Sequence, residues 1–256
     1  MKNFCFTVDD NIRFLKELSD SPATSIFDHP YPAMYRRLHE EFGLSVQLNL
    51  FYERGDFDLS MTSDRFKNEW EQNSDWLKLS FHSRIENELP YVSSGYDEVF
   101  CDCRNIHREI LRFASEGSLA KTTTVHYCRA TADGLCALYD NGVKGLLGLY
   151  GTPEKPRSSY QSTPEEDVII RKGGIAARDG IAYAGIDIVM NDCTEEAILE
   201  RLNALSDRSF IKVMIHEQYF YPDYIRYQKN FEDKLRSAFS YLTFNGYKSK
   251  FFEELI

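Results

Sequence analysis

The chain has 256 residues, 43% hydrophobic and 14% aromatic, which suits one large globular domain or two small ones and excludes a disordered chain. Its net charge of −10 argues against a general binder of nucleic acid or of an anionic membrane surface, since both want basic patches. No apolar run approaches a membrane span, Met1-Lys2-Asn3-Phe4 lacks a signal-peptide pattern, and the six cysteines form no Cys-x-x-Cys pair, so a cytoplasmic protein with reduced thiols is expected.

The first ten residues set the pattern. Residues 4–8 are aromatic and β-branched and read as a buried strand, which runs directly into Asp9 and Asp10. A helix over about 11–19 follows, so the two carboxylates stand where a strand gives way to a helix. Neighbouring strand residues point opposite ways, which lets the two take different tasks. The plain alternative is that one of them caps the helix. A helix from about 33 to 42, stopped by Gly43, precedes a strand over 45–52. A helix over about 65–75 leads to a strand at 76–81 that delivers His82. Next come a helix over about 97–116, a strand at 122–127 that ends at Cys128-Arg129, a helix near 133–141 and a strand over 143–150.

Residues 151–174 are rich in Pro, Ser, Thr and charge and read as an insertion or flap. A strand around 181–189 and a helix from Thr194 to Leu205 precede the last clear strand, 210–215, which delivers His216. Helices at about 223–244 and 248–254 close the chain. Strand and helix alternate seven times with no linker between them. That order predicts a single α/β domain over residues 1–256, with parallel strands inside, helices outside and terminal strands able to close a barrel.

The strand exits carry the ionisable residues: Asp9 and Asp10, then His82 with Glu86 four residues on, then Arg129, then His216 with Glu217. In a parallel α/β barrel these positions share the C-terminal rim, where active sites are built. Asp10, His82 and Glu86 offer two oxygens and one nitrogen with coordination positions left over, a set suited to Zn²⁺ or another divalent first-row ion. A metal there could polarise a carbonyl. Asp9 would then take the proton of water, His216 would protonate the leaving group, and Arg129 would hold Asp9 ionised and oriented. Asp187, one strand from His216, is a candidate to orient it. Each residue also has an ordinary structural reading: His82 as a bonded core histidine, Glu86 as a solvated helix residue, Arg129 as a surface pair.

These residues resemble the motifs of the polysaccharide deacetylases, carbohydrate esterase family 4. Thr7-Val8-Asp9-Asp10 is similar to that family's Thr-Phe-Asp-Asp. His82-Ser83-Arg84-Ile85-Glu86 is similar to its His-Ser/Thr-x-x-His, with a carboxylate in place of the second imidazole. Arg129 with Gly134 keeps part of a third motif, the Asp-Trp fourth motif is not recognisable around Leu149–Gly151, and Val213-Met214-Ile215-His216 fits the fifth. The resemblance implies a distorted parallel (β/α)7 TIM-like barrel, with Asp9 as base, His216 as acid, and Asp10, His82 and Glu86 around a divalent metal such as zinc. It implies removal of an acyl group from an N-acyl sugar or another non-peptide amide, with a small carbohydrate or amide as the partner and an oligomer allowed. Two other readings remain open at this point: a catalytically silent carbohydrate-binding barrel, and a glycosidase using two carboxylates such as Asp9 and Glu86.

Overall fold

The computed structural model describes residues 2–86, 91–151, 155 and 157–256. In chain order the first half comprises β1 (Lys2–Asn11), α1 (Arg13–Asp20), α2 (Pro30–Phe42), β2 (Val46–Phe51), a short hairpin of β3 (Glu53–Arg54) and β4 (Phe57–Asp58), α3 (Lys67–Gln72), β5 (Leu77–Ser83) and α4 (Tyr96–Phe113). The second half comprises β6 (Thr122–Thr123), α5 (Ala132–Asp140), β7 (Gly145–Gly148), α6 (Pro164–Arg171), β8 (Ala176–Arg178), β9 (Ile181–Gly185), β10 (Ile188–Val189), α7 (Glu195–Ala204), β11 (Phe210–His216), α8 (Phe231–Phe244) and β12 (Tyr247–Ser249). Among the described residues no helix is long and apolar enough to cross a membrane.

The expected α/β alternation is present and the pairing is mostly parallel. One sheet runs β10-β11-β1-β2-β5, with β12 also on β1, and a second runs β6-β7-β9-β8. Only β3–β4 and β8–β9 pair antiparallel. The paired strands thus form two sheets and not one continuous cylinder. The edges are nevertheless linked. On one side Leu79 N–H donates to Ser118 O (2.7 Å) and Ala120 N–H to Leu79 O (2.9 Å). On the other, Ile186 N–H donates to Gly148 O and Asp187 N–H to Lys212 O, each at 2.8 Å. The segment expected as one strand over 181–189 therefore begins in one sheet and ends in the other.

Alternation along β1 separates two environments. Phe4 and Phe6 pack outward on Phe239 of α8, with ring centroids 5.8 and 5.0 Å apart. Each such fully buried ring stabilises the fold by about 1.5–3 kcal/mol. Cys5 faces the other way, into a cluster with Leu147, Ala184 and Met214. Asp9 continues that inner row.

Several local differences from expectation have plain causes. The C-terminal stretch expected to be helical at 248–254 supplies β12 at its start and is helical only in a short 3-10 turn, Phe252–Glu254. Register explains it: β2 meets β1 only from Thr7 onward, so Lys2–Phe4 keep an open edge that Tyr247–Ser249 fill. Helix α8 begins at Phe231 and not near 223. A short hairpin at Glu53–Asp58 follows β2 and turns at Gly55, whose φ is +64°. Within 151–174, residues 152–154 and 156 lie outside the described residues. The remainder contains α6, started by a Thr163–Glu166 capping box with Pro164 in its first turn. Tyr160 anchors the segment: its hydroxyl donates to Leu147 O (2.7 Å) and accepts from Val125 N–H (3.1 Å).

Candidate metal centre

A cavity of about 430 Å³ opens at the strand exits and is lined by Asp9, Asp10, His82, His126 and His216 among others. A larger one, about 560 Å³, lies between α1 and the β3–β4 hairpin. Most of its charges are paired, Arg13 with Glu17 and Asp223, Lys16 with Asp56 and Arg54 with Glu86.

Both aspartates reach the first cavity because β1 is irregular there. Its register with β2 slips between Val8 and Asn11, and Asp10 takes a left-handed conformation with φ 65°. A bulge of this kind re-aims side chains that regular pleating would send to opposite faces. Asn11 repairs the ladder: its Nδ2 donates to Val8 O (2.6 Å) and Asn49 O (3.2 Å), and its Oδ1 accepts from the Tyr31 hydroxyl (2.8 Å). Neither aspartate caps α1. Glu217, fully buried at the exit of β11, does so, accepting from the N–H groups of Ile12 (2.8 Å), Arg13 (3.1 Å) and Phe14 (2.8 Å).

Three ligand-type atoms converge beyond the bulge. His82 Nε2 lies 3.1 Å from Asp10 Oδ1 and 3.1 Å from His126 Nδ1, and His126 Nδ1 lies 3.5 Å from Asp10 Oδ1. The far nitrogen of each imidazole is committed to a backbone carbonyl: His82 Nδ1 to Thr124 O, and His126 Nε2 to Glu86 O at 2.6 Å. A carbonyl only accepts, so those nitrogens carry the protons. The inward nitrogens therefore present bare lone pairs to a carboxylate and to each other. Such an arrangement calls for a proton or a cation in its middle, and two imidazole nitrogens with one carboxylate oxygen fit a divalent first-row ion. The electrostatics agree. Burial by itself would raise the Asp10 carboxyl, but the nearby imidazoles of His82, His216 and His126 hold it well below the usual carboxylate range. Burial pushes the His126 imidazole down to about 4, which leaves it neutral at pH 7.

Glu86 is not part of this group. Its carboxylate is drawn to Arg54, with Nε–Oε2 at 3.0 Å, and only its backbone carbonyl contacts the centre. His126 takes the place expected for Glu86. The strand expected to run to 127 stops at Thr123, and successive left-handed residues, Tyr127 (φ 59°) and Cys128 (φ 58°), turn the chain sharply after His126. The strand-exit argument that singled out His82 and His216 also applies to His126; the strand was simply read too long. Arg129, past that turn, is exposed and does not line the cavity.

Asp9, Asp10 and His216 line the cavity, with partners that the sequence does not reveal. Asp9 accepts from Asn49 Nδ2 (2.7 Å). Asn49 Oδ1 accepts from Gln47 Nε2 (2.8 Å), which also donates to Thr122 O (2.8 Å). That carbonyl can only accept, so it sets the orientation of both amides and leaves an N–H facing Asp9. Burial pushes the Asp9 carboxyl up despite the opposing pull of His82, His216 and Asn49. Gln218 Nε2 donates to Asp10 Oδ2 (2.7 Å). His216 Nδ1 bonds Asn191 Oδ1 (2.8 Å), and the Asn191 amide is oriented by its own donation to Asp192 (2.9 Å). Asp187 does not orient His216: its carboxylate is held by Arg208 and by Lys212, whose Nζ is 3.0 Å away.

No family model and no curated protein matches the chain. Solved structures do match, at low identity and nearly full length. A family 4 acetyl xylan esterase from Clostridium thermocellum, in complex with a cobalt ion, is 11% identical over 99% of this chain and 90% of that one, with a TM-score of 0.55. A peptidoglycan N-acetylglucosamine deacetylase is 10% identical over 99% and 87%, with a TM-score of 0.58. A 4-alpha-glucanotransferase from Thermococcus litoralis is 12% identical over 99% of this chain but only 40% of its own, with a TM-score of 0.61. The resemblance to polysaccharide deacetylases first carried by Thr7–Asp10 and His216 is thus a likeness of fold along the whole chain.

Proposed function

We propose that the chain is a metal-dependent hydrolase of the polysaccharide deacetylase type, built on a distorted (β/α)7 barrel, that removes an acyl group from an N-acyl sugar or another non-peptide amide. The observation that carries this reading is the convergence of Asp10 Oδ1, His82 Nε2 and His126 Nδ1, all within 4.8 Å of one another and two of them bare lone pairs. These three residues would hold the ion, with zinc as the leading candidate. When bound, the ion supplies a Lewis acid beside the acyl carbonyl.

The other residues divide the proton work. Asp9, aimed by the Asn49 N–H and raised by burial toward a stronger base, accepts the proton of the attacking water. Asn191 Oδ1 accepts from His216 Nδ1, which aims Nε2 at the departing nitrogen; the imidazolium form of His216 gives up its Nε2 proton there and is left as the neutral Nδ1–H tautomer. Arg129 has no part in this scheme, and Glu86 contributes through its carbonyl, which fixes the His126 ring. The two-carboxylate glycosidase reading loses support because the Glu86 carboxylate is paired with Arg54.

Elemental analysis of the purified protein tests the reading together with Asp10→Ala and His82→Ala. The wild type should carry close to one equivalent of a divalent ion and both variants only traces; equal trace metal in all three would overturn it. Asp9→Asn should keep the metal while amide hydrolysis vanishes.

A further inference from the structure

The carboxylates around the cavity are all engaged. Asp9 is held by Asn49, Asp10 by His82 and Gln218, Glu86 by Arg54, and Asp192 by the Asn191 amide at 2.9 Å. Two arginines line the same cavity, Arg157 and Arg226. Among the described residues neither has a carboxylate oxygen within 4.0 Å. That is notable in a chain with 40 acidic and 30 basic residues, where Arg13, Arg54, Arg112, Arg178 and Arg208 all have acidic partners.

The two guanidiniums rest beside different tyrosines of the lining. Arg226 lies against the Tyr219 hydroxyl, and the Tyr219 ring packs near His216 with centroids 6.1 Å apart. Arg157 Nη2 reaches Tyr127 O at 3.5 Å, and the Tyr127 ring packs on His126 at 4.2 Å. Each cation is thus stationed one aromatic ring away from an imidazole of the centre. A guanidinium presents a planar fork that matches carboxylate or phosphate oxygens, and within the cavity's described lining neither fork is closed by a carboxylate within 4.0 Å.

We infer that the substrate of this cavity carries an anionic group, a carboxylate or a phosphate, which Arg157 and Arg226 clamp at the mouth while the acyl group reaches Asp9 and His216. This rests on the reading of the cavity as a deacetylase-type site. Neutral N-acyl sugars lack the group that the clamp recognises and are the poorer ligands.

Calorimetric titration of the zinc-loaded protein with N-acetylglucosamine, N-acetylglucosamine 6-phosphate and N-acetylmuramic acid tests the inference. At least one anionic probe should bind ten-fold or more tightly than the neutral sugar, and which one does so identifies phosphate or carboxylate as the source. The advantage should disappear in the Arg157→Gln/Arg226→Gln double variant. Both side chains are exposed, so the fold should survive, with near-UV circular dichroism as the check. Added sodium chloride should erode the preference in the wild type, giving a second reading that needs no variant. Equal affinities, no binding by any of the three probes, or a preference that survives the double variant would overturn it. Metal content of the same samples separates the two ideas. An arginine-dependent preference without bound metal keeps the clamp and removes the hydrolase; bound metal with no anion preference does the reverse.

Discussion

Two carboxylates with little exposed side-chain surface, Asp10 on β1 and Asp187 just before β10, live in opposite ways. Asp187 has both oxygens taken by fixed cations, Arg208 and Lys212, and Lys212 is fully buried. Asp10 faces two imidazoles and an amide, none of which carries a permanent charge. Both clusters are packed and hydrogen-bonded, so burial alone does not tell them apart. Charge does. The Asp187 cluster is neutralised by fixed cations that the chain encodes, whereas the Asp10 cluster has only imidazoles, which can gain or lose a proton.

Breaking the complete cluster should have the largest effect on stability. Asp187→Ala leaves the Lys212 ammonium buried without its counter-ion, which should cost about 3–5 kcal/mol in a urea titration at pH 7. Asp10→Ala removes no fixed cation's partner and should cost the metal-free protein clearly less. A reversed order would mean that Asp10 is structural.

The open cluster can be sharpened by separating His126 from Glu86. His126→Ala removes a ligand atom and should weaken zinc binding by at least about 100-fold, beyond the usual outer-shell effect. Glu86→Ala keeps the carbonyl that anchors His126 and should weaken it by no more than about ten-fold. Competition with a chromogenic chelator measures both, and the opposite ranking would restore Glu86 as the ligand.

A smaller effect comes from a histidine in neither cluster. Burial pushes His107, in α4, down to about 4 from 6.5. Between those values the unfolded chain binds the proton and the folded one does not, so stability rises with pH across the window and is lost as pH falls. At pH 5 the loss relative to pH 7 should be about 2 kcal/mol from this group. His107→Leu should flatten that part of the pH–stability curve; an unchanged slope would assign it elsewhere.

The same contrast explains what could be read without coordinates. The Asp9–Asp10 pair, His82 and His216 stood out because an apolar run that ends in an ionisable side chain is visible in one dimension. His126 obeyed the same rule and was hidden by a single misjudged length, since Thr122–Tyr127 has strand propensity throughout while only Thr122–Thr123 pair. Asn49 and Gln218 left no local sign; their meaning comes from partners 40 and 208 residues away. Arg129 follows from the strand-exit rule only if the strand runs to Tyr127, and the turn at Tyr127–Cys128 carries it out of the cavity. Order and direction of the strands were legible from alternation. The splitting into two sheets was not, because it depends on where β6 ends and on a segment that changes partners midway.

That splitting gives the centre a mechanical meaning. Asp10 and His82 ride on β1 and β5 in one sheet, while His126 follows β6 in the other. An ion gripped by all three would act as a fastener across the join, tethering halves that few backbone bonds connect there. Slower amide exchange over Leu119–Thr123 on adding zinc would register that fastening even in a variant that turns nothing over.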